Sequence, residues 1–337
     1  MMTVRRIATA LLLIAAMMLL TVAGHDRTAR AQGGKKVVRM ASARGVIFYP
    51  LWGIGPFAEK YGIQAEMIPI MTNADQQRAL QTGGADVATQ GYANPAIMAE
   101  QNVNNVKIIS GLYLGGQNLI MRKGVEVKSW KDLEGKKIGR APGTFAQVLF
   151  ILAAQANGVD ISKINLVNVT AVGPAELQAL KNGDLDGLVM FTPTVDRAVV
   201  EGYAYYPACC DIGSTTKFGA RNQLLAANTD FLKDRETAVK FLKAYLDAEK
   251  YYLQNRDKAV EVATQYTGVS KEVVGEALKH AILEHRVDIQ TAIEIAKEGP
   301  KFGFTKTDVS ASVGSYFDLS YLSEATGEPI DRLTSLR

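Results

Sequence analysis

An internal repeat constrains this chain more than any other feature. Ala79-Leu80-x-x-Gly83-x-x-Asp86 recurs as Ala179-Leu180-x-x-Gly183-x-x-Asp186, and a proline follows each copy, Pro95 and Pro193. Upstream, Gly62-Ile63 precedes the strand-like run 66–70, and Gly158-Val159 precedes the run 164–169. Further up, residues 37–41 and 137–139 each lead through a small-residue loop into a helical pattern. Four identities at one offset are weak alone; matching flanks make duplication the better reading. Each copy reads strand, helix, strand, helix, strand, helix. That alternation predicts two α/β lobes, each a mainly parallel sheet flanked by helices.

Local signals agree with this outline. Phe145, Val148, Leu149, Leu152 and Ala156 keep the spacing of one helix face. Residues 76–81 read as a helix with Asn73 and Gln76 as a capping box and Gly83 as its stop. From Phe231 the pattern turns helical: Ala238, Phe241, Tyr245, Ala248 and Tyr252 share one face. Further helices are predicted over 259–266, 271–284, 288–298 and 308–322, with no third copy of the strand pattern. This helical C-terminal extension is expected to pack around one lobe and brace the hinge.

The N-terminus is of a different kind. Arg5 and Arg6 precede an apolar run over 7–23, and Ala29-Arg30-Ala31 follows a polar stretch. This is the order of a secretory signal peptide, so cleavage after Ala31 is expected, with an uncleaved anchor as the alternative. Residues 32–337 then carry 34 Lys+Arg against 33 Asp+Glu, whereas the whole chain has 38 against 34. The basic excess belongs to the export signal. No Lys/Arg stripe remains for nucleic acid. Cys209 and Cys210, the only cysteines, are adjacent and cannot join distant parts of the chain. Two unbridged thiols are the favoured reading over a vicinal disulfide, because ordinary disulfide geometry suits neighbours poorly.

In parallel α/β sheets, ligands bind beyond the carboxyl ends of the strands, where helix starts offer unpaired N–H groups. Five such loops occur here: Ser42–Arg44, Thr72-Asn73, Gln90–Asn94, Gly143-Thr144 and Phe191–Pro193. Asn94 is the expected N-cap before Pro95, and Thr192 before Pro193. Arg44, the one fixed cation on these loops, is a candidate for a carboxylate or sulfonate. Gln90, Asn94, Gln117 and Thr144 are candidate hydrogen-bonding residues. Tyr49, Tyr92, Tyr113, Phe145 and Phe191 lie at or near these loops and are candidate walls for an organic moiety, Tyr92 and Phe191 above all.

Several chemistries are excluded. Beyond His25, only His280 and His285 occur, at a spacing that matches no zinc motif, and there is no G-x-S-x-G or Walker A sequence. Neither a metal nor a cofactor is expected. Asp86 and Asp186 recur at matched strand starts, which predicts a structural role rather than paired acid–base catalysis.

Segment by segment, the chain resembles the nitrate/sulfonate/taurine-type substrate-binding proteins of bacterial ABC importers. The carrying residues are Ser129-Trp130-Lys131-Asp132-Leu133-Glu134-Gly135-Lys136-Lys137-Ile138-Gly139, the two Ala-Leu-x-x-Gly-x-x-Asp copies, and Asn228-Thr229-Asp230-Phe231-Leu232. The resemblance spans residues 37–268. It implies a two-lobed type II periplasmic binding protein fold, with 32–123 plus 222–337 as lobe 1 and 124–221 as lobe 2. It also implies a periplasmic, monomeric, non-enzymatic protein that captures a small organic anion and delivers it to a membrane permease with its ATPase. Family ligand contacts map onto Ser42–Arg44, Gln90–Asn94 and Gly143-Thr144. Tyr92-Ala93-Asn94 stands where many members carry Gly-Ser-Ser, and Phe191-Thr192-Pro193 where many carry Trp-x-Pro. These departures point away from nitrate or taurine toward a larger, aromatic or carboxylated solute. The alternatives are an enzyme of the thiamine-pyrimidine-synthase-like group and a sensor lobe of another transporter type.

Overall fold

The computed structural model describes residues 35–142, 144–170, 173–213 and 218–334. The expected signal segment, its cleavage point and Gly143 lie outside these residues. The strands in chain order are β1 (Lys36–Ser42), β2 (Ile63–Pro69), β3 (Val87–Gly91), β4 (Val106–Gly115), β5 (Gln117–Arg122) and β6 (Lys137–Arg140). They continue with β7 (Asn165–Asn168), β8 (Gly187–Phe191), β9 (Ala204–Tyr205), β10 (Arg221–Asn228) and β11 (Ala281–Leu283).

These strands form two mixed sheets, in the orders β11-β4-β10-β3-β1-β2 and β7-β6-β8-β5-β9. The duplication is visible in the pairing. β1 lies parallel to β3, with Met40 opposite Val87, and β6 lies parallel to β8, with Ile138 opposite Gly187. Each third strand then pairs antiparallel with a strand that arrives from the other half: β3 with β10, and β8 with β5. The two repeated aspartates do the same work in each sheet. The Asp86 amide donates to Arg39 O at 2.9 Å and its carboxylate accepts from Arg39 N at 2.9 Å. The Asp186 amide donates to Lys137 O at 2.8 Å and its carboxylate accepts from Lys137 N at 2.9 Å. Both motif glycines, Gly83 and Gly183, have positive φ where the preceding helix ends.

β4 belongs to the first sheet and β5 to the second, so the chain first crosses between the sheets at Gly115-Gly116. The return runs from β9 to β10. Helices flank both sheets: Asn73–Gln81 and Asn94–Glu100 follow β2 and β3, as Pro174–Asn182 and Thr194–Val200 follow β7 and β8. The helix Phe145–Ala156 follows β6, as expected from its apolar spacing.

The C-terminal extension is helical with two differences from the sequence reading. The predicted helix 271–284 stops at Ala277, and residues 281–283 instead form β11 antiparallel to β4, Leu283 opposite Tyr113. The open edge of β4 supplies hydrogen bonds that helix propensity alone does not foresee. The predicted helix 308–322 divides into Ser310–Val313, a short 3₁₀ turn and Ser320–Thr326, because the chain between them bonds to β4, with Asp318 N donating to Ile108 O at 2.9 Å. The long helix Arg235–Gln254 buries Phe241, Tyr245 and Ala248 completely. The extension touches both halves. Its helix Lys271–Ala277 packs on Thr194–Val200, and the His280 ring lies 4.2 Å from the ring of Tyr206. Tyr206 in turn donates to the buried Asp196 at 2.6 Å.

Cys209 and Cys210 are joined by a disulfide, which corrects the expectation of two thiols. Among the described residues, no helix is long and apolar enough to cross a membrane.

Candidate functional site

The two crossings between the sheets lie side by side. Gly116 N donates to His280 O at 2.7 Å, Thr192 N to Gly116 O at 2.9 Å, and Tyr92 N to Asn222 O at 3.1 Å. The Asn222 side-chain amide also donates to Gly115 O. At Gly115 φ is +81°, and a Cβ would sit 2.2 Å from His280 O, so only glycine fits. Next to these crossings a cleft of about 430 Å³ opens, within the range of small-molecule sites. Residues from both sheets line it: Gly91 on β3, Gln117 on β5, Phe191 on β8 and Gln223 on β10. This is where open α/β sheets place ligands, beyond the strand ends.

Carboxamides dominate the polar lining. Asn73, Gln77 and Gln81 stand four residues apart on the helix Asn73–Gln81, so one helical face presents all three to the cleft. Gln77 is buried together with Gln76 and Leu80, which are not among the residues lining the cleft. Gln77 Nε2 donates to Gln101 Oε1 at 2.8 Å, and Asn73 Nδ2 to Asn94 Oδ1 at 3.4 Å. Asn94 Oδ1 also accepts from Gly91 N at 3.0 Å. Gln117 and Gln223 line the cleft, and the side-chain oxygen of each is buried without a hydrogen-bond partner. Gln90 sits one layer behind, fully buried; its Nε2 donates to Asn73 O at 3.3 Å and its Oε1 is unpartnered.

The apolar lining is aromatic. Phe145 opens the helix after β6, Phe191 ends β8, and Phe304 follows the helix Ile289–Phe302. The rings of Phe145 and Phe304 lie 6.3 Å apart, and those of Phe145 and Phe218 6.5 Å apart. Tyr92 contributes its ring, while its hydroxyl accepts from Asp288 N at 3.2 Å. Burial raises the Tyr92 pKa above the ordinary phenol value, so this group stays neutral. Among the described lining residues Arg78 is the one charged side chain, largely exposed and 3.5 Å from Asp75.

Seven of the predicted site residues meet at this cleft: Asn73, Tyr92, Asn94, Gln117, Thr144, Phe145 and Phe191. Others lie elsewhere. Arg44 is exposed and sits 5.5 Å over the ring of Trp52, which itself stacks on Tyr266 at 4.8 Å. Ser42 is fully buried and donates to Ala43 O at 3.2 Å. Tyr49 is buried edge-on against Tyr252. Thr192 donates to Asp196 at 2.8 Å. Gly143 is outside the described residues. Thr144 caps its helix, accepting from Gln147 N at 3.4 Å. Three expected caps move: Thr72, not Asn73, accepts from Asp75 N, while Asn94 and Thr192 cap no helix with their side chains. Asn94 instead serves Gly91, and Thr192 serves Asp196.

Sequence reasoning missed Gln77, Gln81, Gln101, Asn222, Gln223 and Phe304. The spacing of Asn73, Gln77 and Gln81 was an available signal, since it marks one polar helix face. Phe304 carried none, because it reaches the cleft from the tail. No His, Cys, Asp or Glu lines the cleft among the described residues, and no group there of three such residues could hold a metal ion. The arrangement can hold a solute through hydrogen bonds and aromatic contact, and among the described residues it presents no His, Cys, Asp or Glu to act as nucleophile or general base.

Fold and cleft together define a two-lobed α/β protein with a cleft lined from both of its duplicated sheets. The NMT1/THI5-like family matches residues 55–259, more than half of the chain, and the protein belongs to that family. It is 25% identical over 203 residues to the taurine-binding periplasmic protein of Escherichia coli, covering 60% of this chain and 61% of that one. The fold is shared with the periplasmic aliphatic sulphonate binding protein SsuA from Escherichia coli, with a TM-score of 0.69 at 16% identity over 83% of this chain and 97% of that one. It is shared too with the periplasmic nitrate-binding protein NrtA from Synechocystis, at a TM-score of 0.69 and 14% identity over 89% and 91% of the two chains.

Proposed function

We propose that this protein is the extracytoplasmic solute-binding component of an ABC importer. It captures a small organic solute, a sulfonate, carboxylate or related nitrogen, sulfur or aromatic compound, and delivers it to a membrane permease worked by an ATPase. The observation that carries this reading is the cleft itself, lined from both sheets at the point where the chain crosses between them. A solute touching both lobes stabilises the closed form by its extra contacts there, so closure follows from differential affinity. The lobes are taken as the two sheets with their helices, hinged at Gly115-Gly116 and at the return into β10. The protein acts as a monomer in the periplasm after cleavage at Ala31, a reading supported by the family and by the export-like N-terminus. The absence of acid, base or nucleophile among the described cleft residues supports binding without turnover.

Thermal unfolding with a solute panel tests this. A solute present at about 100 times its Kd adds about 2.7 kcal/mol of stability, a shift of several degrees in Tm. If no organic sulfur, nitrogen, carboxylate or aromatic compound moves the transition, the solute-binding reading fails.

A further inference from the structure

We infer that the cleft takes a flat aromatic solute whose polar edge both donates and accepts hydrogen bonds, an aromatic carboxamide being the simplest example, and that negative charge is not what the site reads. The inference rests on the solute-binding reading above and narrows its substrate class.

Three observations carry it. First, the polar lining is neutral. Among the described lining side chains, eight are Asn or Gln, none is acidic, and the one cation, Arg78, is 73% exposed and paired with Asp75 at 3.5 Å. A charge so exposed is screened and gives an anion little.

Second, Gln117 and Gln223 each hold a buried side-chain oxygen with no partner, and Gln117 is only 4% exposed. A buried acceptor calls for a donor. An oxoanion brings lone pairs to lone pairs. If either amide turns about its last bond, its NH₂ group takes the unpartnered place and then needs an acceptor. A ligand edge with N–H beside C=O satisfies both orientations; a carboxylate or sulfonate satisfies one.

Third, the apolar walls are rings from both halves: Phe145 and Phe191 from the second, Tyr92 and Phe304 from the first. Such walls favour a flat ring, which packs against them in offset or edge-on contact. A cavity of roughly 150 Å³ is enough for benzene, so the cleft has room for a substituted ring or two.

The test is a matched series of one ring with different heads. Benzamide, nicotinamide, benzoate and benzenesulfonate, with taurine and nitrate beside them, are titrated by calorimetry into the full processed protein. The amides are expected to bind at least about ten-fold tighter than benzoate, the size of one well-made hydrogen bond with its partner satisfied. Gln117→Leu and Gln223→Leu, each checked for an unchanged ligand-free melting curve, are expected to weaken benzamide by a similar factor and benzoate by less. Tighter binding of benzoate, benzenesulfonate, taurine or nitrate than of the amides overturns the inference and leaves the solute-binding reading in place. Failure of this series and of a wider solute panel overturns both.

Discussion

Asp86 and Asp186 hold the same place in two sheets but not in the same surroundings. Asp86 is 6% exposed and takes three bonds from Arg39: the backbone N–H, Nε at 3.2 Å and Nη2 at 2.8 Å. Asp186 is more exposed and its cation, Arg122, stands 3.6 Å away. Asp86→Ala is therefore expected to cost about 2–3 kcal/mol, because a buried N–H loses a charged acceptor. Asp186→Ala should cost about 1 kcal/mol, because both its bond from Lys137 N and its ion pair with Arg122 are open to solvent. Urea unfolding measures both; equal losses would contradict this account. His285 gives a pH signature. Burial disfavours its charged form, but the hydrogen bond and charge of Glu249, with the charge of Glu284, together hold its pKa above the ordinary value. Glu249 stands 3.0 Å from its Nδ1 and is 5% exposed. A raised folded pKa adds stability that is complete below the unfolded value, about 6.5, and is lost as pH rises through the folded one. The wild-type protein should lose its stability advantage over His285→Asn as pH rises above about 6.5. A pH-independent difference would exclude the pair as its source.

At the scale of elements, the repeat was legible and its interruptions were not. β1 to β3 and β6 to β8, with the helices between them, follow the apolar spacing and the glycine stops that the two copies share. β11 was not legible, because Lys271 to Glu284 contains no breaker strong enough to end a helix there, and only the open edge of β4 draws the chain into a strand. The cleft was half legible for a similar reason. Loops after strands point to Tyr92, Asn94 and Thr144. Gln77, Gln81 and Phe304 lie on no loop that directly follows a strand, and only the fold brings them to the cleft. Arg44 was misplaced because loop position says nothing about a partner such as Trp52, whose own place is set by Tyr266 in the helix Arg256–Thr267. The crossing itself makes a sharp prediction. Gly115 and Gly135 share a φ of +81°, but a Cβ at Gly135 meets nothing within 4 Å, whereas at Gly115 it meets His280 O at 2.2 Å. Gly135→Ala should cost about 1 kcal/mol for its backbone alone. Gly115→Ala should cost about 2 kcal/mol more, since the β4–β5 turn must also shift. Equal costs in denaturant unfolding would mean that the close approach is not rigid.

Taken whole, the molecule is two copies of one α/β unit, joined by two crossings and braced by a helical extension that touches both. Duplication gives two strand-end surfaces, and the crossings set them on either side of one cleft. The extension adds Phe304 to that cleft and, through His280 and Tyr206, a second tie between the halves away from it. For the proposed role, a solute held there would touch both lobes. The crystal structure of the protein with its tightest-binding solute is the most direct test. The account predicts the solute between the sheets, its polar edge on Gln117 and Gln223 and its organic part against Phe145, Phe191 and Phe304. A solute bound outside this cleft, or touching residues of one lobe alone, would contradict it.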